Sequence, residues 1–286
     1  MPNPSKPLKF LAFDTSTDRL SVAVTDGVRV WQHSSPGGAL ASTTLIPAIL
    51  GLLADSNMAL GDMDAVVFGR GPGSFSGLRT ACAVAQGLAF GANQGAGIAV
   101  LPVDTLMAVA EEARFQQHGT AVEGAKPITI TITALLDARM DEMYVQSYEF
   151  SSGQCRLVGD CKLIRPENLV PEPLTQLLAG NVFGVYAGRL PAELAKLTCV
   201  DALPTATALL RLAPALAAAG QCIDAAQALP LYVRDKVAQT TVERAQIKAN
   251  AKTGETARAA EADETVLADH ANAPVSALET MKCLPL

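Results

Sequence analysis

Apolar and polar residues follow three different rhythms along this chain, and each change of rhythm marks a structural element. LKFLAF (8–13) is a short continuous apolar run, as expected of a strand buried on both faces. LSVAVTDG (20–27) alternates and ends in Asp26-Gly27, a hairpin signal, with VRVWQH (28–33) as the return strand. Leu45, Ile46, Ile49, Leu52 and Leu53 then recur at helical spacing, which predicts a helix over 42–56 with one apolar stripe. Ser42 is its expected N-cap, and Pro47 falls in its early turns. DAVVFGR (64–70) reads as a buried strand, and a helix follows from Ser74 or Ser76 to about Asn93. Ile98–Pro102 reads as a strand and 104–117 as a helix capped by Asp104. The order βββαβαβα predicts an α/β lobe over residues 1–103.

From residue 127 the texture becomes β-branched and alternating. PITITITALLDAR and EMYVQSYEF (142–150) predict long strands, CRLVGDCKLI continues the sheet, and NVFGVYAG reads as another strand. A helix follows over 205–220, and PLYVR (230–234) returns to strand, so 104–242 is expected to form a second lobe. The tail from Glu243 has no Trp, Tyr or Phe and carries seven acids against five bases. Such a composition buries little apolar surface, and 243–286 is expected to be disordered.

The chain has 286 residues, 49% hydrophobic and 17% charged, and a formal net charge of −6. That balance argues against a protein that holds nucleic acid alone, because neutralising phosphates needs a basic surface. The six cysteines form no C-x-x-C pair, and the three histidines no His-x-x-x-His, so no metal ligand set is expected. No apolar leader or run of eighteen apolar residues stands out, which leads to the expectation of a cytoplasmic protein with no membrane segment.

Two motifs carry candidate chemistry. The first is GRGPGSFSGLR (69–79), with Gly71, Pro72, Gly73, Ser74, Phe75, Ser76, Gly77 and Arg79 at a strand-to-helix junction. It could cradle an anion on backbone N–H groups, or make a tight turn that brings a helix close to its neighbour. It lacks the lysine of the nucleotide phosphate loop and the spacing of the dinucleotide fingerprint. The second is Asp14-Thr15-Ser16, either a phosphate turn whose carboxylate orients a hydrated magnesium, or an Asx/ST turn that satisfies its own backbone. Beyond the Gly-rich loop, Ala81, Ala85 and Ala89 form one small-residue row, and Ala83, Gly87 and Gly91 another. Such rows admit close helix packing, either on the chain's own sheet or on an external helix. Asp137-Ala138-Arg139 with Glu142 and Tyr144 forms a polar cluster between two strands.

Together, Asp14-Thr15-Ser16, GRGPGSFSGLR, the Asp137–Tyr144 segment and PLYVR resemble the TsaB family, in order over about residues 8–237. The resemblance implies a two-lobed actin/sugar-kinase-like fold and a non-catalytic subunit of the machinery that makes threonylcarbamoyladenosine at position 37 of tRNA. The implied partners are TsaD, the paralogous catalytic subunit, and TsaE, an ATPase, with tRNA met only through the complex. A homodimer is expected when the chain is alone. No tightly bound cofactor is implied, although ATP or ADP at a subunit junction is. Asp14, Thr15 and Ser16 would then be a vestigial phosphate site. Docking through helices 42–56 and 76–93 would make Leu45, Ile46, Ile49, Leu52, Leu53, Ala81, Ala85 and Ala89 the partner-binding residues. Members often carry a histidine just before the first of these helices, where this chain has Ala41. Two other readings stay open: a kinase-like or glycopeptidase-like enzyme of the same superfold acting alone, and a stand-alone tRNA-binding module.

Overall fold

The computed structural model describes residues 7–119 and 129–234. The expected disordered tail therefore lies outside the described residues. The first sheet is built from β1 (Phe10–Asp14), β2 (Arg19–Thr25), β3 (Val30–Pro36), β4 (Ala65–Gly71) and β5 (Ala99–Asp104). Its order is β3-β2-β1-β4-β5, with β1 to β3 antiparallel and β4 and β5 parallel to β1. The second holds β6 (Ile130–Arg139), β7 (Glu142–Ser151), β8 (Gln154–Ile164), β9 (Thr175–Gly180) and β10 (Thr198–Asp201). Its order, β10-β9-β6-β7-β8, repeats the first: an antiparallel β6–β7–β8 meander, then β9 and β10 added in parallel beside β6.

Four helices complete the unit: α1 (Ala41–Asp55), α2 (Phe75–Gly91), α3 (Thr105–His118) and α4 (Ala206–Ala218). α1 and α2 cover one face of the first sheet, while α3 and α4 lie on its other face. The period-2 geometry of β1 explains its unbroken apolar sequence: Leu11 and Phe13 enter the core under α1 and α2, while Phe10 and Ala12 enter the core shared with the second sheet. The far face of the second sheet is closed by a smaller core of Leu135, Leu178, Val182 and Tyr186.

Several elements differ from the sequence reading. NVFGVYAG is not a strand; Tyr186 N–H reaches the Val182 carbonyl and Arg189 N–H the Tyr186 carbonyl, which makes it a run of turns. The strand there is TQLLAG, β9, and the short β10 was not anticipated. PLYVR is a strap rather than a strand, held by a backbone bond from Leu231 N–H to the Arg70 carbonyl (2.7 Å). α1 begins at Ala41, not at a Ser42 cap, and the Thr43 and Thr44 hydroxyls both donate to the Leu40 carbonyl (2.9 Å each). Asp104 is the N-cap residue of α3, but its carboxylate pairs with Arg70 (2.6 Å) instead of capping. The lobes also interleave: α4 packs on the first sheet, Ile223 bonds both ways to Val100, and Met1–Val233 forms one compact unit. Gly38–Asp55 is, by length and composition, apolar enough to cross a membrane, but Leu45, Ile49, Leu52 and Leu53 are packed into the core.

α3 and α4 are joined by ion pairs. Arg114 grips Glu111 with two N–H groups (2.6 and 2.9 Å), and Arg211 reaches both Glu111 (2.8 Å) and Glu112 (2.6 Å). The Glu111 side chain is 4% exposed, so losing a partner leaves a poorly solvated carboxylate. Arg211 also stacks over Phe115, 4.1 Å from the ring centroid. Arg211→Ala is expected to cost about 3 kcal/mol, read as a lowered urea midpoint at unchanged slope; a loss under about 0.5 kcal/mol would mean the network adds nothing.

Candidate functional site

The Gly-rich turn is shaped by backbone meeting backbone. Ser74 N–H donates to the Ser16 carbonyl (2.7 Å), and the Thr15 hydroxyl donates to the Gly77 carbonyl (2.7 Å). A Cβ at Gly77 would collide with the Thr15 carbonyl oxygen, one at Gly73 with Ser16, and one at Gly69 with the Asp14 carboxylate. Gly71, at φ +127°, carries a cis bond to Pro72 and lies under the Leu231 carbonyl of the strap. The glycines therefore press the first turn of α2 against the turn that ends β1. The stretch leading into the strap also holds α2, since the Ala228 carbonyl accepts from Gln86 Nε2 (3.0 Å) and Cys82 Sγ (3.2 Å).

Asp14, Thr15 and Ser16 are buried within this contact. Asp14 Oδ1 accepts from both Ser16 N–H (2.9 Å) and Ser16 Oγ (2.7 Å), an Asx turn, while its Oδ2 has no partner among the described residues. Burial pushes the Asp14 carboxyl up to about 6, against the lowering effect of the two Ser16 donors.

The outward faces of α1 and α2 have a consistent character. On α1 they carry Ser42, Thr43, Ile46, Pro47, Leu50, Gly51 and Ala54; on α2, Phe75, Ser76, Arg79, Ala83, Gly87, Phe90 and Gly91. Ile46, Leu50 and Phe90 are 44, 57 and 52% exposed, an apolar surface that solvent alone does not favour. A Cβ at Gly51, Gly87 or Gly91 would meet nothing within 4 Å. These helical glycines each cost about 1 kcal/mol relative to alanine, and nothing in the described chain uses the space they leave.

A family model described as "TsaD: tRNA N6-adenosine threonylcarbamoyltransferase" matches residues 38–273. The TsaB protein of Haemophilus influenzae is 33% identical over 242 residues, covering 80% of this chain and 95% of that protein. The chain belongs to the TsaB family. TsaB of Escherichia coli is 30% identical over 81% of this chain and 96% of its own. The solved structure titled "YeaZ from Pseudomonas aeruginosa" matches with a TM-score of 0.68 and 36% identity, over 79% of this chain and all of that one. The fold is thus the two-lobed actin/sugar-kinase-like one, and the chain is a non-catalytic paralogue of TsaD.

Within that family frame, most of the residues expected to touch a partner turn out to face inward. Leu45, Ile49, Leu52, Leu53, Ala81, Ala85 and Ala89 are all buried against the first sheet, and only Ile46 of the set is exposed. The reason is physical: the widest apolar stripe of a helix goes to its own core first. The second small-residue row, Ala83, Gly87 and Gly91, is the exposed one, and Leu50 and Phe90 were missed because they sit outside the stripe. Ala41, in the place of the family's frequent histidine, is buried in the core as the first residue of α1. In the Asp137–Tyr144 segment, Arg139 pairs with Asp137 (3.4 Å) and Tyr186 Oη donates to Asp137 Oδ1 (2.8 Å), so the hairpin tip is tied to the β9–β10 connection. Among the described residues, no group of three His, Cys, Asp or Glu side chains is placed to hold a metal ion.

Asp14 gives this turn a pH signature. Its carboxyl is raised in the folded state from the usual 3.8 to about 6, so folding favours the protonated form. The stabilisation is complete below 3.8 and is lost as pH rises towards 6. Asp14→Asn removes that titration. The stability of the parent relative to this variant is expected to fall by about 3 kcal/mol between pH 3.5 and 7.5 in urea melts. A constant difference across that range would show that Asp14 titrates normally.

Proposed function

We propose that this chain is the non-catalytic docking subunit of a complex that forms threonylcarbamoyladenosine at position 37 of tRNA. It would hold a TsaD-family subunit on the outward faces of α1 and α2, with a TsaE-type ATPase joining the pair and tRNA met only through the assembly. The relatives, both named as TsaB proteins of tRNA threonylcarbamoyladenosine biosynthesis, support the pathway. The surface is supported by one observation: three helical glycines, Gly51, Gly87 and Gly91, open onto empty space beside exposed Ile46, Leu50 and Phe90. Small residues between apolar ones let a second pair of helices approach closely, and exclusion of water there gives the affinity. A second copy of this chain offers the same pair of helices, which accounts for a homodimer when the natural partner is missing. ATP or ADP is proposed at the subunit junction rather than in the Asp14–Ser16 turn, which is buried and spends its hydroxyls internally.

Gly87 separates the demands of fold and partner. Gly87→Ala is expected to stabilise the free chain by about 1 kcal/mol through helix propensity, visible as a higher melting temperature. Gly87→Leu should leave the free chain folded yet abolish co-purification with the TsaD-family subunit of the same organism. Full-affinity binding by a well-folded Gly87→Leu variant would place the docking surface elsewhere.

A further inference from the structure

The outward faces of α1 and α2 hold a single ionisable group, Arg79, apart from Asp55 at the last residue of α1. At about 100° per residue, Phe75, Arg79, Ala83 and Phe90 share one stripe of α2. Asp55 points about 140° of arc away from Leu50, on the flank of α1. Arg79 is exposed and held in place. Its guanidinium stacks over Phe75, 3.8 Å from the ring centroid, and its Nε donates to Tyr232 Oη (3.1 Å). Tyr232 in turn packs on Phe75, ring centroids 5.3 Å apart. Among the described residues no carboxylate lies within 4.0 Å of Arg79, although most of the other described arginines are paired with acids. The outer N–H groups of a pre-oriented guanidinium are thus left for an acceptor from outside.

A lone cation on an uncharged docking face has a definite consequence. Covering it strips its water, and that cost is recovered only when a carboxylate meets it. Resting on the docking reading above, we propose that Arg79 is a specificity residue: it selects a partner that presents an acidic side chain opposite it and disfavours a second copy of this chain. In a two-fold dimer the same patch meets itself, so each Arg79 would face apolar, hydroxyl or like-charged groups from the other copy's helices. The Phe75–Tyr232 clamp strengthens the discrimination, because a guanidinium already fixed loses little further freedom on pairing and has little freedom to swing away when no acid is present. Tyr232 lies on the strap, so the strap contributes to the docking face as well as to the position of α2.

The two affinities should therefore move in opposite directions when the charge is removed. With full-length protein, Arg79→Leu and Arg79→Gln are each expected to weaken binding to the TsaD-family subunit at least tenfold by calorimetry. The same variants should strengthen self-association at least tenfold by sedimentation equilibrium. Arg79→Lys, which keeps the charge but not the stacked fork, should fall between parent and Arg79→Gln. The proposal is overturned if well-folded neutral variants shift both affinities the same way, or shift neither by more than threefold. Gly87→Leu distinguishes the two levels. If it abolishes the complex while the neutral Arg79 variants bind normally, the docking face stands and the role of Arg79 falls; if it too binds normally, the docking reading fails and takes this inference with it.

Discussion

The contact on which the first lobe depends is that between the turn ending β1 and the first turn of α2. Thr15 and Ser16 offer backbone carbonyls, and Gly73 and Gly77 offer backbone with no side chain to hold it off. Bonds between Ser74 and Ser16 and between Thr15 and Gly77 fix the closest approach. Because α2 runs for seventeen residues, a small error in its first turn would swing Phe90 and Gly91 by a large distance at the far end. The stretch leading into the strap adds a second point of restraint through Ala228, midway along the helix. What looks like a phosphate-binding turn in sequence therefore acts, in this geometry, as the mount for a helix.

The two sheets share one topology, yet among the described residues only the first presents a pair of helices on its outer face. In the second, the corresponding surface is closed by the irregular stretch between β8 and β10, where Leu169, Val182, Tyr186 and Leu194 fill the space. A duplicated framework has thus been used in two ways: one copy keeps exposed helices, and the other closes its outer face with turns. α3 and α4 lie between the sheets, and their Glu111–Arg211 and Glu112–Arg211 pairs sit at that junction.

Much of this was legible in the residues, for reasons that also explain what was not. The opening βββαβαβα order could be read because each strand is a short apolar or alternating run bounded by turn residues, and each helix has a strong period. NVFGVYAG misled because its β-branched and aromatic residues suit a short buried strand, while Gly184 and Gly188 and the bonds at Tyr186 make turns of it. β10 was invisible because four residues give no period to detect. The Asp14–Ser16 turn could be located but not decided, since an Asx turn and a phosphate turn use the same residues and differ only in whether the hydroxyls are already spent.

The residues expected to dock a partner show a more general limit. Periodicity finds the stripe that maximises apolar burial, and in a helix lying on its own sheet that stripe is the inner one. Leu45 and Ala85 belong to that inner stripe and are buried, whereas Leu50 and Gly87, which are exposed, follow too weak a pattern to stand out. The signal that was available is negative: a glycine in mid-helix that lowers helix propensity while filling no internal need. Gly77 does have an internal need, the Thr15 carbonyl, whereas Gly87 and Gly91 have none. Sequence alone cannot separate these glycines, because each lies in the same α2 segment and weakens it in the same way. The separation comes only from asking what a methyl group would strike. Where it strikes the chain itself, the glycine serves the fold; where it strikes nothing, beside apolar groups left in water, the fold gives no reason for it, and the docking proposal rests on that difference.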